Sequence, residues 1–440
     1  MTEHHRAGPL FTDLYELTMA ASYFSHRVFN TATFSLYIRD IYSTRNFFVA
    51  AGLEQVLDEL EGFRFSDEDL QYLKTTGRFS TDFLTYLEQL RFSGEVYAMP
   101  EGTVFFADEP VMEVTAPIIE AQLLETFLLN TVGFQTMIAS KAARCIHAAA
   151  GRPLIDFSLR RTQGQDAGLK VARSTFIAGF VATSNVLAGK MYGIPLSGTM
   201  AHSYVSAFES EKDAFIAYSK TFPDHSIFLI DTYDTLEGAK NAAVVAKEMK
   251  KRGHTLIGVR LDSGDMVSLS QGVRKILDDA GLYDVKIFAS SGFDEFKIDE
   301  VVSKGAQIDA FGVGTKVGVS ADAPFVDIVY KMVHFGDRDV RKLSPGKVTL
   351  AGEKQVFREK NSKGYYVEDV IGLREERISK SEPLLEKVME NGKCLNPHPA
   401  LEEMRKRFDL NFSRLDEKYK KLYDVAVYPV KLSDRLKKLQ

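Results

Sequence analysis

Apolar residues return at helical intervals across 11–25 (FTDLYELTMAASYFS), where Thr12 is placed to cap the first turn, and again across 47–61 (FFVAAGLEQVLDELE). Between them, 31–38 (TATFSLYI) alternates with the period of a strand. Residues 66–91 predict one or two more helices, the first opening at SDED. Residues 94–118 then change to short β-favouring runs broken by Pro100, Gly102, Pro110 and Pro117, the pattern of a small antiparallel meander. From 119 to 150 the chain is long, mostly apolar and helical in character, with Cys145 inside it as a small buried side chain.

After this helix the pattern becomes a repeated alternation. Short β-rich runs are each followed by a turn and a helix-like segment: PLIDFSLR (153–160), IPLSGTM (194–200), SIFLIDTY (226–233), TLIGVRLDS (255–263), KIFASSG (286–292), DAFGVGT (309–315) and VDIVYKMV (326–333). Helical segments at 237–253 and 267–281 fill two of the gaps. Such alternation implies parallel strands joined by right-handed crossovers. The number of runs suits an α/β barrel, complete or incomplete; an open doubly wound sheet competes, without a G-x-G-x-x-G in the right place to support it. Polar residues recur at the C-terminal ends of the runs: Arg160 and Arg161, Thr199 and His202, Asp231, Arg260 and Asp262, Ser290 and Ser291, Thr315. A barrel carries its active site at that end. Three expected segments result: 1–118 as an N-terminal α+β part, 119–334 as the barrel with the active site, and 335–440 as a more polar segment completing the smaller, α+β domain.

Composition narrows the class. With 45% hydrophobic and 26% charged residues, the 440-residue chain is of ordinary globular make-up. A net charge of −5 provides no global basic field, so no nucleic-acid partner is expected. Two cysteines exclude a disulfide framework or a four-thiolate zinc site. The sequence has neither an apolar signal core near its start nor a run of about 18 apolar residues, so no membrane association and a cytoplasmic location are expected.

The chemistry candidates lie at the run ends. Gly312, Gly314 and Thr315 in DAFGVGT, with ASSG one run earlier, supply the small, donor-rich turns that let backbone N–H groups approach a phosphate. Asp231 and Asp262 end successive runs and suit ribose hydroxyls or a water-bridged Mg²⁺; Asp234 and Asp265 suit helix caps. Arg160, Arg161 and Arg260 suit an anionic ligand, or internal pairing with Asp231 and Asp262. His202, among small residues, suits a general base or a phosphoryl acceptor. The residues alone therefore describe a barrel-like enzyme for a phosphorylated, sugar-containing, anionic substrate, with a catalytically silent binding protein on the same barrel as the alternative.

Taken together, FTDLYELTMAASYF (11–24), DFSLRRTQGQDAG (156–168), SNVLAGKMYGIPLSGTMAHS (184–203), LIDTYDT (229–235), GVRLDSGD (258–265) and DAFGVGT (309–315) resemble the nicotinate phosphoribosyltransferase family. The resemblance implies an irregular α/β barrel with a second domain from both chain ends, in a homodimer with a shared active site. It implies condensation of nicotinate with 5-phosphoribosyl 1-diphosphate (PRPP), coupled to ATP hydrolysis and needing Mg²⁺, as the entry of nicotinic acid into NAD biosynthesis. By position, His202 matches a transiently phosphorylated histidine. Arg260 and Thr199 match nicotinate contacts, and Phe157 and Tyr15 match aromatics about the pyridine ring, Tyr15 from the neighbouring subunit. Arg160 resembles a pyrophosphate- or substrate-binding arginine. Asp231 and Asp262 resemble the acidic residues around ribose, pyrophosphate and Mg²⁺, and Gly314 and Thr315 resemble the 5-phosphate site. Two departures matter. Cys394 alone cannot form the C-terminal zinc cluster of some relatives, so no structural zinc is expected. The segment ATSNVLAG (182–189) lacks the Asp of nicotinamide-specific relatives, which favours the acid over the amide. A related enzyme using nicotinamide or quinolinate is the competing assignment.

Overall fold

The computed structural model describes residues 8–39, 45–342, 349–424 and 426–440. It divides into two compact units, one of Met1–Ala139 with Phe325–Gln440 and one of Ser140–Pro324.

The first unit is built on an antiparallel sheet that draws from both ends of the chain. Its strands run in the order Arg338–Asp339, Ile328–Phe335, Thr31–Ile38, Pro110–Pro117, Glu95–Ala98, Glu386–Glu390, Lys393–Cys394. The central strand Thr31–Ile38 is buried at six of its eight positions, because helices cover one face and further strands the other. Ala32, Phe34, Leu36 and Ile38 enter a core shared with Leu57, Leu87 and Leu128. A smaller sheet of Ser381–Pro383, Lys354–Lys360, Tyr366–Leu373 and Val430–Leu432 belongs to the same unit.

Helix starts follow local chemistry. Ser66 and Asp69 form a reciprocal capping box for Asp67–Thr75, and Ser80 caps Thr81–Gln89. Thr12 does not cap the first helix. That helix starts at Leu14 after Asp13, and the Thr12 hydroxyl donates instead to Glu16 at 2.8 Å. The 47–61 segment opens as the short strand Phe48–Val49, paired with Val104–Phe105, and becomes helical only from Leu53 to Glu61. The stretch after 118 is two helices, Ile118–Gln122 and Glu125–Ala148.

The second unit carries a parallel sheet in the order Ala182–Thr183, Leu154–Asp156, Ala310–Val313, Lys286–Ala289, Gly258–Leu261, Ile227–Leu229. Its two edge strands do not pair with one another, so the barrel is incomplete. Two expected barrel strands behave differently. IPLSGTM contributes only an isolated parallel bridge between Thr183 and Leu196, and Ala182–Thr183 takes the edge position. VDIVYKMV is not a barrel strand at all. Residues 328–335 pair antiparallel with Thr31–Ile38 in the first unit, where Tyr330 stacks on Phe34 with ring centroids 4.6 Å apart.

For the same reason the units divide at 139/140 and 324/325, where the sequence pattern suggested 118/119 and 334/335. The start of the long helix is tied into the first unit: Glu16 accepts from the Thr126 N–H at 3.0 Å, and the Tyr330 hydroxyl donates to the Ala121 carbonyl at 3.1 Å. Among the described residues, no helix is long and apolar enough to cross a membrane.

Candidate active site

Parallel strands point the same way, so the residues just past their C-terminal ends collect along one rim. In the second unit these are Phe157–Arg161, Ile230–Thr232, Asp262–Ser263, Ser290–Ser291 and Gly314–Thr315.

Arg260 is the next-to-last residue of its strand and is level with Leu229 on one side and Phe288 on the other. Its Nη1 donates to Thr199 Oγ1 and its Nη2 to the Met200 carbonyl, both at 2.9 Å. The internal ion pairing considered for this arginine is therefore not its hydrogen-bonding mode. Among the described residues, its buried Nε–H has no acceptor. Burial pulls the guanidinium below its ordinary pKa, while Asp262 and Asp231 push it back up and the nearby Arg160 opposes them. An arginine so placed stays charged, so the site holds a desolvated cation whose Nε–H is still to be satisfied by an anion.

Phe157, Ser197, Thr199, Arg260 and Gly312 line a narrow hollow here. Gly312 is required by close approach: a Cβ at this position would lie 2.4 Å from the Phe157 ring. The Phe157 backbone is held by its N–H donating to the Val313 carbonyl at 2.8 Å. A larger open cleft of about 380 Å³ lies against Gly264–Ser268, Lys297 and Lys304. None of the aromatic, arginine or histidine candidates lines it, whereas Phe157, Thr199 and Arg260 line the narrower hollow.

The acids form a relay between neighbouring strand ends. Asp231 Oδ2 accepts from the Asp262 N–H at 2.8 Å and the Ser263 hydroxyl at 2.7 Å, and its buried Oδ1 has no donor among the described residues. Asp262 Oδ1 accepts from the Ser290 hydroxyl, and its Oδ2 lies 4.0 Å from His202 Nε2. The other ring nitrogen, Nδ1, is 3.1 Å from Thr232 Oγ1. His202 is the first residue of the helix His202–Ser206 and is roughly half exposed, so its ring is reachable. Asp234 and Asp265 cap the helices that follow, accepting from the Glu237 and Val267 N–H groups.

Gly314 and Thr315 open the short helix Thr315–Gly318, and Gly314 packs against the Phe157 carbonyl closely enough that a Cβ would sit 3.2 Å from it. Thr315 is exposed. Lys316 is occupied by Asp294 at 2.7 Å, and Lys297 donates to the Ser291 carbonyl at 2.7 Å, steadying a non-glycine residue at φ +126°. Arg160, on the 3₁₀ turn Leu159–Arg161, is exposed at the rim.

The structure thus gathers Phe157, Arg160, Thr199, His202, Asp231, Arg260, Asp262, Gly314 and Thr315 within the second unit. Tyr15 belongs to the first unit, on the helix Leu14–Ser25, with an exposed side chain near Glu125. Sequence reasoning missed Asp156, whose fully buried carboxylate accepts from the Ser158 N–H at 2.9 Å, the Ser158 hydroxyl at 2.6 Å and the Thr183 hydroxyl at 2.7 Å. Burial pushes its pKa up and these three donors pull it down. The D-x-S spacing of an Asx turn was the available signal. Thr232 was missed too, as one more polar residue in a polar turn.

Sequence signatures agree with this architecture along the chain. Those of the nicotinate phosphoribosyltransferase N-terminal domain, family and C-terminal domain match residues 10–133, 153–337 and 377–440. A nicotinate phosphoribosyltransferase of Mycobacterium tuberculosis is 46% identical over 438 residues, 99% of this chain and 94% of that protein. One from Bacillus subtilis is 40% identical, over 97% of this chain and 93% of that protein. The crystal structure of human nicotinic acid phosphoribosyltransferase superposes with a TM-score of 0.87 at 30% identity, covering 97% of this chain and 99% of that one. A nicotinate-nucleotide pyrophosphorylase from Pyrococcus furiosus gives 0.76 at 26% identity, covering 97% and 100%. The chain belongs to the nicotinate phosphoribosyltransferase family.

Proposed function

We propose that this protein joins nicotinate to PRPP, giving nicotinate mononucleotide and diphosphate while hydrolysing ATP to ADP and phosphate, in cytoplasmic NAD biosynthesis. One observation carries the substrate assignment: Arg260, desolvated and with its Nε–H lacking an acceptor, beside Thr199 and Phe157. A planar guanidinium suits a carboxylate, and an aromatic face suits the attached pyridine ring.

Each rim residue then has a task. Arg260 and Thr199 take the nicotinate carboxylate, and Phe157 supports one face of the ring. Tyr15 supports the other face, from the partner subunit of a homodimer. Arg160 meets the diphosphate. Gly314 and Thr315 offer backbone and hydroxyl donors to the 5-phosphate. Asp231 and Asp262 face the ribose. His202 accepts a phosphoryl group from ATP.

These acids also fit a magnesium ion. The buried Asp231 Oδ1, without a donor, is a hard oxygen awaiting a cation, and Mg²⁺ commonly takes one or two carboxylates together with substrate phosphates. Held by Asp231 and Asp262, such an ion would supply charge neutralisation for a departing diphosphate. This chain's own contribution is placement: the ring nitrogen is held in line with the anomeric carbon, Arg160 and Arg260 hold the anions, and no strong base is needed.

A panel of nicotinate, nicotinamide and quinolinate with PRPP, with ATP consumption followed alongside product, tests the assignment. Nicotinate is the expected preferred substrate; preference for either other pyridine overturns it. Arg260→Ala should raise the KM for nicotinate about ten- to a hundredfold, the value of a charged hydrogen bond, and that for PRPP far less. Equal losses would contradict the carboxylate role.

A further inference from the structure

The two nitrogens of His202 face different neighbours. Nδ1 lies 3.1 Å from Thr232 Oγ1, within hydrogen-bond range. Nε2 lies 4.0 Å from Asp262 Oδ2, beyond it. We infer that Thr232 is a positioning residue, which accepts the Nδ1–H of His202 and so leaves the Nε2 lone pair as the atom that takes the phosphoryl group. The inference deepens the phosphohistidine reading of His202 and rests on it.

A neutral imidazole carries one proton, and its nucleophilic nitrogen is the other one. Asp262 can only accept. Left alone with the ring, it would draw the proton to Nε2 and close the lone pair needed for phosphoryl transfer. Its Oδ1 is already held by Ser290, and the backbone N–H of Asp262 is held by Asp231, so the carboxylate is kept from closing the 4.0 Å gap. Thr232 meets the ring from the other side at hydrogen-bond distance, where its hydroxyl can accept an Nδ1–H, while Nε2 has only Asp262 beyond that distance. Its own position is set at both ends of a short turn. Asp231 before it is fixed by two hydrogen bonds, and Asp234 after it is the cap of the helix Thr235–Lys251. A hydroxyl mounted on so constrained a turn can fix the rotation of the histidine ring and accept its Nδ1–H.

The step balances. The Nε2 lone pair forms a bond to the γ-phosphorus of ATP as the bond from that phosphorus to the β,γ-bridging oxygen breaks, and ADP leaves with the electron pair. The Nδ1 proton stays on the ring, now a phosphoimidazolium whose N–H donates more strongly to Thr232. Water later attacks phosphorus, the N–P electron pair returns to Nε2, and phosphate departs with the oxygen and protons of that water.

The test uses the purified full chain with wild-type, Thr232→Val, Thr232→Ser and His202→Ala forms. Nitrogen-15 NMR of the histidines, with His202→Ala to assign the signal, should show His202 in wild type and Thr232→Ser protonated on Nδ1. Thr232→Val should move the proton toward Nε2. Rapid mixing with Mg·ATP, followed by phosphorus-31 NMR and acid–base lability, should give Nε2-phosphohistidine in wild type. The rate of its formation should fall about tenfold in Thr232→Val with the KM for ATP little changed, and return in Thr232→Ser. An Nε2-protonated ring in wild type, or a Thr232→Val enzyme that phosphorylates Nε2 at the wild-type rate, overturns the inference. If wild type forms no phosphohistidine at all, the reading of His202 fails instead, and the tautomer measurement still reports on the Thr232 contact.

Discussion

At the scale of single residues the site is governed by what each group is denied. Arg260 spends two of its nitrogens on Thr199 and Met200 and is left with a buried Nε–H; Asp231 spends one oxygen on the next strand and is left with the other. Unsatisfied buried donors and acceptors are expensive, so each calls for an explanation, and at a rim of strand ends a ligand is one. Gly312 shows the steric counterpart. With the Phe157 ring 2.4 Å from where its Cβ would be, Gly312→Ala must displace an aromatic ring rather than the end of a flexible chain. We expect the Gly312→Ala enzyme to fold, with a KM for nicotinate raised about tenfold or more and a smaller change for PRPP. A KM for nicotinate indistinguishable from wild type would show that Phe157 does not support the pyridine ring. His202, Arg160 and Arg260 stand out in the sequence because arginines and a histidine at the ends of β-rich runs are hard to explain as turn chemistry, whereas Asp231 and Asp262 stand out only by ending successive runs. Thr232 and Asp156 were not, since hydroxyls and carboxylates in turns are common and only three-dimensional placement separates a contact from a cap.

At the scale of elements, the parallel strands were readable wherever an apolar run was flanked by a helix of opposite periodicity, as at 226–233, 255–263, 286–292 and 309–315. The reading failed at 326–333, because a β-rich run does not state its partner. Ile328–Phe335 pairs with Thr31–Ile38 some three hundred residues earlier, and such long-range pairing is set by the packing of the whole unit. The same unit contains an ionic knot that no local pattern announces. Arg358, on the strand Lys354–Lys360, donates to both Asp369 carboxylate oxygens and to the Val104 carbonyl, joining segments that pair in different sheets. Glu109 lies against this knot, wholly buried, with Oε2 on the Phe106 N–H and Oε1 without a donor among the described residues. Burial, and then the charge of Asp369, push its carboxyl well above the ordinary 4.5, with Arg358 opposing. A proton on Glu109, shared with Asp369, resolves the conflict. The folded protein then keeps that proton at pH values where the unfolded chain has lost it, so this group's contribution to stability is full below about 4.5 and declines as pH rises toward the folded-state value. Glu109→Gln keeps a donor toward Asp369 and cannot titrate. Thermal denaturation across pH 4 to 8 should therefore show a shallower fall for Glu109→Gln than for wild type, with the variant relatively more stable at the alkaline end; parallel curves would mean that Glu109 is not the protonated partner.

At the scale of the whole molecule, each unit leaves apolar side chains in water. The first presents Phe11, Leu14 and Tyr15 near its N-terminal helix; the second presents Val186, Leu187 and Leu196, with Val186 68% exposed. Apolar surface left uncovered on a monomer commonly marks a contact with another chain. The proposed homodimer, in which Tyr15 of one subunit completes the Arg260 site of the other, gives both surfaces a partner and makes a quantitative demand. Tyr15→Ala and Arg260→Ala homodimers should each be strongly impaired. In a hybrid of the two, one site combines an intact Arg260 with an intact Tyr15, and the second carries both defects. Random reassortment makes half of all dimers hybrid, so co-expression or subunit exchange should restore about a quarter of wild-type activity. Tagging the two forms differently and isolating the hybrid should raise this to about half. A mixture no more active than the mean of its parents, while light scattering shows dimers that exchange, would mean that each subunit builds its site alone and that Tyr15 acts, if at all, within its own chain.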